Sequence, residues 1–203
     1  MTIKPSKSEM QKVFERWDKT SEVSNYDKES VALSKLFQKH KYNTNLNEVI
    51  IKVACLNAFY GTNATMYAKV PQIAEKIISI KDFDKRVQKW DEKLVIELAK
   101  FPKANLYSFA SKYCVLHNYD VYEQNDYVIF DSIVCKKLRE FKKAYPKYSF
   151  AKFTEKDFTL ENYPKYKEIL QTFSREFGLG ENLRELDWYL WKLGKLEKLD
   201  KKR

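Results

Sequence analysis

The chain is 203 residues long, 44% hydrophobic and 33% charged, a balance that excludes a disordered or fibrous protein. Its formal net charge of +10 makes a polyanion the expected partner, nucleic acid before a membrane surface. No stretch approaches the ~18 consecutive apolar residues of a membrane span.

Only four Gly and five Pro punctuate the chain, which favours helices joined by short connections. The N-terminal MTIKPSKSEMQKVF lacks the apolar run of a secretory signal, so a cytoplasmic protein with no membrane partner is expected. Met10, Val13, Phe14 and Trp17 recur at helical spacing and predict a first helix over 5–19. The polar stretch Thr20–Asn25 leads into a second helix over 28–40, with Val31, Leu33, Leu36 and Phe37 as its stripe. Asn43–Asn47 reads as a turn with N-cap candidates. The helix that follows, 47–60, is the most apolar in the chain and is expected to be its central core helix. It stops at Gly61. Further helices are predicted over 70–80, 84–101 with a break near Asp91, 105–116, 130–144, 163–177 and 182–196. No alternating run supports a central sheet. The fold class is therefore all-α, a compact two-lobed bundle with one lobe at 46–145 and the other at 1–45 plus 146–203.

Cys55, Cys114 and Cys135 are odd in number, widely spaced and without a CxxC pair, and His40 and His117 form no HExxH. No metal, iron–sulfur cluster or other cofactor is indicated, and the cysteines read as small buried hydrophobes in a reducing compartment.

Residues 101–143 carry the strongest chemical signal. Leu106-Tyr107-Ser108-Phe109-Ala110-Ser111-Lys112 precedes, across a helix and a polar loop, the phrase Ile129-Phe130-Asp131-Ser132-Ile133-Val134. A lysine early in one helix and an aspartate opening the next fit one cleft. An Asp before Ser132 and an apolar run is also an ordinary N-cap.

This segment resembles the helix–hairpin–helix DNA glycosylases, including the 8-oxoguanine and endonuclease III branches. Their hairpin reads L-P-G-V-G-x-K, with an aspartate in a P-V-D-x-x-V phrase downstream at the spacing seen here. Leu106, Phe109 and Lys112 fall on its Leu, Val and Lys, and Asp131 with Val134 on the Asp phrase. Tyr107, Ser108 and Ala110 replace the Pro and both Gly. The segment Arg184–Trp191 resembles the closing helix of some archaeal and bacterial relatives.

The resemblance implies a helix–hairpin–helix-like element and a monomeric enzyme acting on double-stranded DNA. It implies Lys112 and Asp131 as the catalytic pair, the carboxylate stabilising charge on the deoxyribose. A desolvated lysine amine attacks the sugar C1′ and forms a Schiff base, which adds lyase activity. Base flipping needs a pocket and a group that fills the gap. The end of the central apolar helix supplies these in the family, which here means Asn57, Tyr60, Thr62 and Asn63. A capped helix end with a core aromatic explains the same residues. Trp188 and Trp191 are a stacking platform or, beside Leu186 and Leu190, a core stripe. Backbone contacts to DNA are expected from Ser108, Ala110 and Ser111 and from the basic run Lys136, Lys137, Arg139 and Lys143. The competing expectation is a non-catalytic helical nucleic-acid-binding protein.

Overall fold

A computed structural model describes residues 3–20 and 23–201, and the chain divides into two compact units, Ser24–Ile129 and Met1–Val23 with Phe130–Arg203. Among the described residues there are ten α-helices, and β-structure is confined to one short hairpin. The protein is all-α.

The unit 24–129 begins with α2 (Val23–Lys39) and α3 (Leu46–Tyr60). Asn45 caps α3 by accepting from the amides of Asn47 at 3.0 Å and Glu48 at 3.3 Å, and Gly61, at φ 54°, ends it in the left-handed region. Next come α4 (Val70–Ser79), α5 (Phe83–Gln88) and α6 (Lys93–Ala99). The predicted break near Asp91 lies between α5 and α6, where Trp90 has φ 47°. One Asp91 oxygen accepts from the Lys93 amide at 3.0 Å while the other takes Arg86 Nε at 2.8 Å, which turns the chain. A tight hairpin follows, β1 (Lys100–Phe101) against β2 (Ala104–Asn105) with Lys100 opposite Asn105. It feeds directly into α7 (Tyr107–Leu116), and the chain continues through a π turn, His117–Val121.

The sequence ranks the helix at 47–60 as the central one, and the structure corrects this. α3 keeps an open face on which Ile51 is 46% exposed, whereas every residue of α7 except Ser108 is buried. Hydropathy misleads here because Lys112, Ser111 and Tyr113 lower the apparent apolarity of a helix that is enclosed on all sides.

The other unit contains α1 (Lys7–Asp18), α8 (Ser132–Ala144), α9 (Tyr163–Phe177) and α10 (Leu183–Asp200), with three 3-10 turns between 149 and 162. Its core joins Trp17, Val134, Leu138, Phe141, Phe173 and Tyr189, all essentially fully buried. α8 and α10 approach closely at Gly194, where an added Cβ would lie 2.3 Å from Ile133 Cγ2. Gly178, at φ 62°, closes α9, and Leu179 donates back to the Ser174 carbonyl at 2.9 Å.

The unit boundaries therefore differ from the expected lobes at 46 and 145. α2 belongs with residues 24–129 because Phe37 packs on Tyr113, with ring centroids 5.2 Å apart. α8 belongs with the terminal segments because it packs along α10.

Candidate functional site

Lys112 lies on α7, which follows α6 and the short β1–β2 hairpin. The expected hairpin residues Tyr107, Ser108, Ala110 and Ser111 all lie inside α7, and the hairpin itself is formed by Lys100–Asn105. Side chains on a helix lean toward its N-terminus, and Lys112 follows this rule. Its Nζ donates to Ser108 Oγ at 2.7 Å and lies 5.3 Å from the centre of the Tyr60 ring. The residue is only 3% exposed.

Ala110 is fully buried and Ser111 donates to the Ser108 carbonyl at 3.1 Å. Neither presents an amide to a phosphate, because both sit mid-helix. The expectation that they contact DNA backbone is corrected; Ser108, half-buried, is engaged by Lys112.

Asp131 lies in the unit formed by the terminal segments. It is half-buried and caps α8, its Oδ1 accepting from the Ile133 amide at 2.8 Å.

Of the candidates at the end of α3 and just beyond it, Tyr60, the last residue of the helix, has its ring beside the Lys112 amine. Asn57 organises the turn instead: its Oδ1 accepts from Thr62 Oγ1 at 2.6 Å and from the Ala64 amide at 3.1 Å. Asn63 takes a left-handed conformation at φ 55°. These contacts fix the path of a segment whose Met66 and Tyr67 are 74% and 57% exposed.

Trp191 packs edge-on against Trp17 at 5.3 Å, with Lys195 over its face, and Trp188 carries the Arg184 guanidinium at 5.0 Å. Trp191 is thus part of the α1–α10 contact, while half-buried Trp188 is covered by Arg184 of its own helix. The basic run is largely neutralised within its own unit. Lys137 is 2% exposed and bonded to Glu140 at 2.6 Å and Glu197 at 2.5 Å, so it is corrected from a DNA contact to a buried ion pair. Arg139 makes a forked pair with Glu155. Lys143 and Lys136 remain exposed, Lys136 lying 3.8 Å from Glu140.

A cluster that sequence reasoning missed lies inside the unit 24–129. Asn43 Oδ1 accepts from Lys52 Nζ at 2.7 Å and from Tyr113 OH at 2.5 Å. Asn43 Nδ2 donates to Asp84 Oδ1 at 2.6 Å, and His117 Nε2 lies 3.1 Å from that oxygen. Lys52 and His117 are completely buried. Burial brings the Lys52 ammonium down to about 8, against the pull of Asp84 and Glu48. Burial also lowers His117, aided by Lys52 and opposed by Asp84. For Asp84, burial pushes the carboxyl up, but hydrogen bonds from His117 and Asn43 together outweigh it and hold it below its ordinary value. The signal in the sequence was a lysine on the inward face of an apolar helix, at a position four residues from Glu48.

Among the described residues no group of His, Cys, Asp and Glu is arranged to hold a metal ion, and no helix is long and apolar enough to cross a membrane.

These features define an all-α protein with a buried lysine on the helix after a short β-hairpin and, separately, a largely buried polar cluster. The chain belongs to the family HI_0787_N, described as an N-terminal domain, which matches residues 9–121. An uncharacterized protein of Haemophilus influenzae (strain ATCC 51907 / DSM 11121 / KW20 / Rd) is 38% identical over 156 residues, covering 75% of this chain and 69% of that protein. No solved structure matches the chain significantly. The family match takes in Lys112, Tyr60 and the Asn43 cluster and stops before Asp131.

Proposed function

We propose that the protein is a DNA glycosylase that removes a damaged or modified base from double-stranded DNA, with an abasic-site lyase step through Lys112. The observation that supports this most is the Lys112 amine, buried on the helix that follows a short hairpin and 5.3 Å from the Tyr60 ring. The target base turns out of the duplex. Departure of the base builds positive charge on the deoxyribose; in the resembling enzymes a carboxylate stabilises it, and Asp131 is the residue that falls on that position. The amine then attacks C1′ and the resulting Schiff base permits strand cleavage by β-elimination. The net charge of +10 draws the chain to the duplex.

The base released decides between repair of damage and defence against modified phage DNA. Cys114 and Cys135 are buried free thiols, which suits a monomer working in the reducing cytoplasm. The second reading, a non-catalytic helical nucleic-acid-binding protein, is favoured by the use of Asp131 as a helix cap and by the burial of Ala110 and Ser111.

Borohydride trapping on duplexes carrying abasic sites, oxidised purines or modified cytosines separates the two. An adduct that Lys112→Gln abolishes supports the lyase. Base release that survives Lys112→Gln but not Asp131→Asn marks a glycosylase that uses water. Binding of all these duplexes with neither adduct nor base release selects the non-catalytic reading.

A further inference from the structure

We infer that Ser108 is the positioning residue for the Lys112 amine, an inference that rests on the glycosylase and lyase reading above. The two residues stand one helical turn apart on the same face of α7, and Lys112 Nζ donates to Ser108 Oγ at 2.7 Å. On an exposed helix such a contact would be incidental. Here Lys112 is 3% exposed, and an amine removed from water is held by the acceptors within its reach. The Tyr60 ring, 5.3 Å away, bounds the same nitrogen.

This arrangement bears directly on the attack. The ammonium first gives a proton to water, leaving two N–H groups and one lone pair. With one N–H held by Ser108 Oγ, the lone pair is confined to directions away from that hydroxyl. It bonds to the aldehyde carbon C1′ of the ring-opened abasic sugar, the carbonyl oxygen leaves as water, and an imine remains. Borohydride reduces that imine by adding hydride at C1′. Holding a flexible four-carbon chain at the attacking geometry is what accelerates such a step. The resembling hairpin phrase has glycine at the Ser108 position, so the hydroxyl is a feature of this chain.

The test compares Ser108→Val with Ser108→Thr, two side chains of nearly the same shape that differ in the hydroxyl. The probe is a duplex with one abasic site. Trapping rates are measured at saturating DNA, with DNA affinity and thermal unfolding measured separately. Ser108→Val is expected to trap about tenfold more slowly at unchanged affinity, the scale of losing one hydrogen bond, while Ser108→Thr stays within about twofold of the parent protein. Equal rates for both variants, whether normal or reduced, overturn the positioning role and leave the lyase reading standing. Absence of an adduct with the parent protein overturns both.

Discussion

Lys52 Nζ and Asn43 Oδ1 lie 2.7 Å apart in the interior of the unit 24–129, so a fully buried amine is held by a neutral amide. The carboxylate of Asp84 is one step further on, bonded through the other side of the same Asn43 amide. Asn43 thus separates a cation from its counter-ion and satisfies both.

Removing that bridge takes one partner each from buried Lys52 and Tyr113 and from half-buried Asp84, leaving Lys52 the His40 carbonyl at 2.9 Å. Asn43→Ala is expected to destabilise the protein by about 3 kcal/mol or more. Lys52→Met, which keeps volume and removes the desolvated charge, should cost distinctly less. Urea unfolding of the two variants checks this, and an equal loss from both would show that packing rather than the amide bridge matters.

Acid should weaken the fold through His117. An unfolded imidazole takes up a proton near pH 6.5, whereas burial holds the native one lower. Falling pH therefore adds a proton to the unfolded chain first, and stability drops from about pH 6.5 downward. Above that pH both forms are neutral and the contribution is complete. Asp84 acts in a lower range: its folded carboxyl is held below 3.8, so its contribution is lost only as pH falls past that value. His117→Asn is expected to flatten the stability curve between pH 6.5 and 5 and to leave the more acidic limb in place. Unfolding midpoints across roughly pH 2–8 would reveal an unchanged slope between about pH 6.5 and 5 if the idea is wrong.

Asp131 has a structural duty that can be separated from a chemical one. Asn caps helices as well as Asp does, so Asp131→Asn should keep the bond to the Ile133 amide and lose little stability, while Asp131→Ala should cost about 1 kcal/mol. If the carboxylate also acts on the sugar, Asp131→Asn alone should abolish base release. Thermal unfolding read beside a glycosylase assay distinguishes the two duties.

The close approach of α8 and α10 has one weak point for added volume. Gly194→Ala would place its methyl 2.3 Å from Ile133 Cγ2, on a β-branched side chain with little freedom to turn aside. A loss of about 1–3 kcal/mol is expected. Ile133→Ala removes the obstructing methyl, so the double variant should be less destabilised than the sum of the singles. Strict additivity in a mutant cycle would place the strain elsewhere.

Much of the helical layout was readable from periodicity. Trp17, Phe37, Ile73 and Leu138 recur at helical spacing and are buried in the structure, and Asp91 marks the break it was expected to mark. The β1–β2 hairpin and the π turn escaped because each is only a few residues long and built from residues with no distinctive pattern. The 3-10 turns between 149 and 162 escaped for the same reason. Lys112 and Tyr60 were legible as candidates, but their juxtaposition depends on the packing of α3 against α7, which no local pattern encodes. Of the Asn43 cluster only Lys52, a lysine on the inward face of an apolar helix, left a signal; its members come from five separate elements, and the others are each an ordinary polar residue alone.

The pairing of Trp17 with Trp191 ties the first helix to the last one. The segment that the family match covers, 9–121, includes most of α1 and none of α10. A fragment cut at 121 would carry Met10, Val13 and Trp17 into water as an uncovered apolar stripe, and it should aggregate or shed its first helix. The segment that the family match covers therefore ends short of the helix that shields its own first apolar stripe.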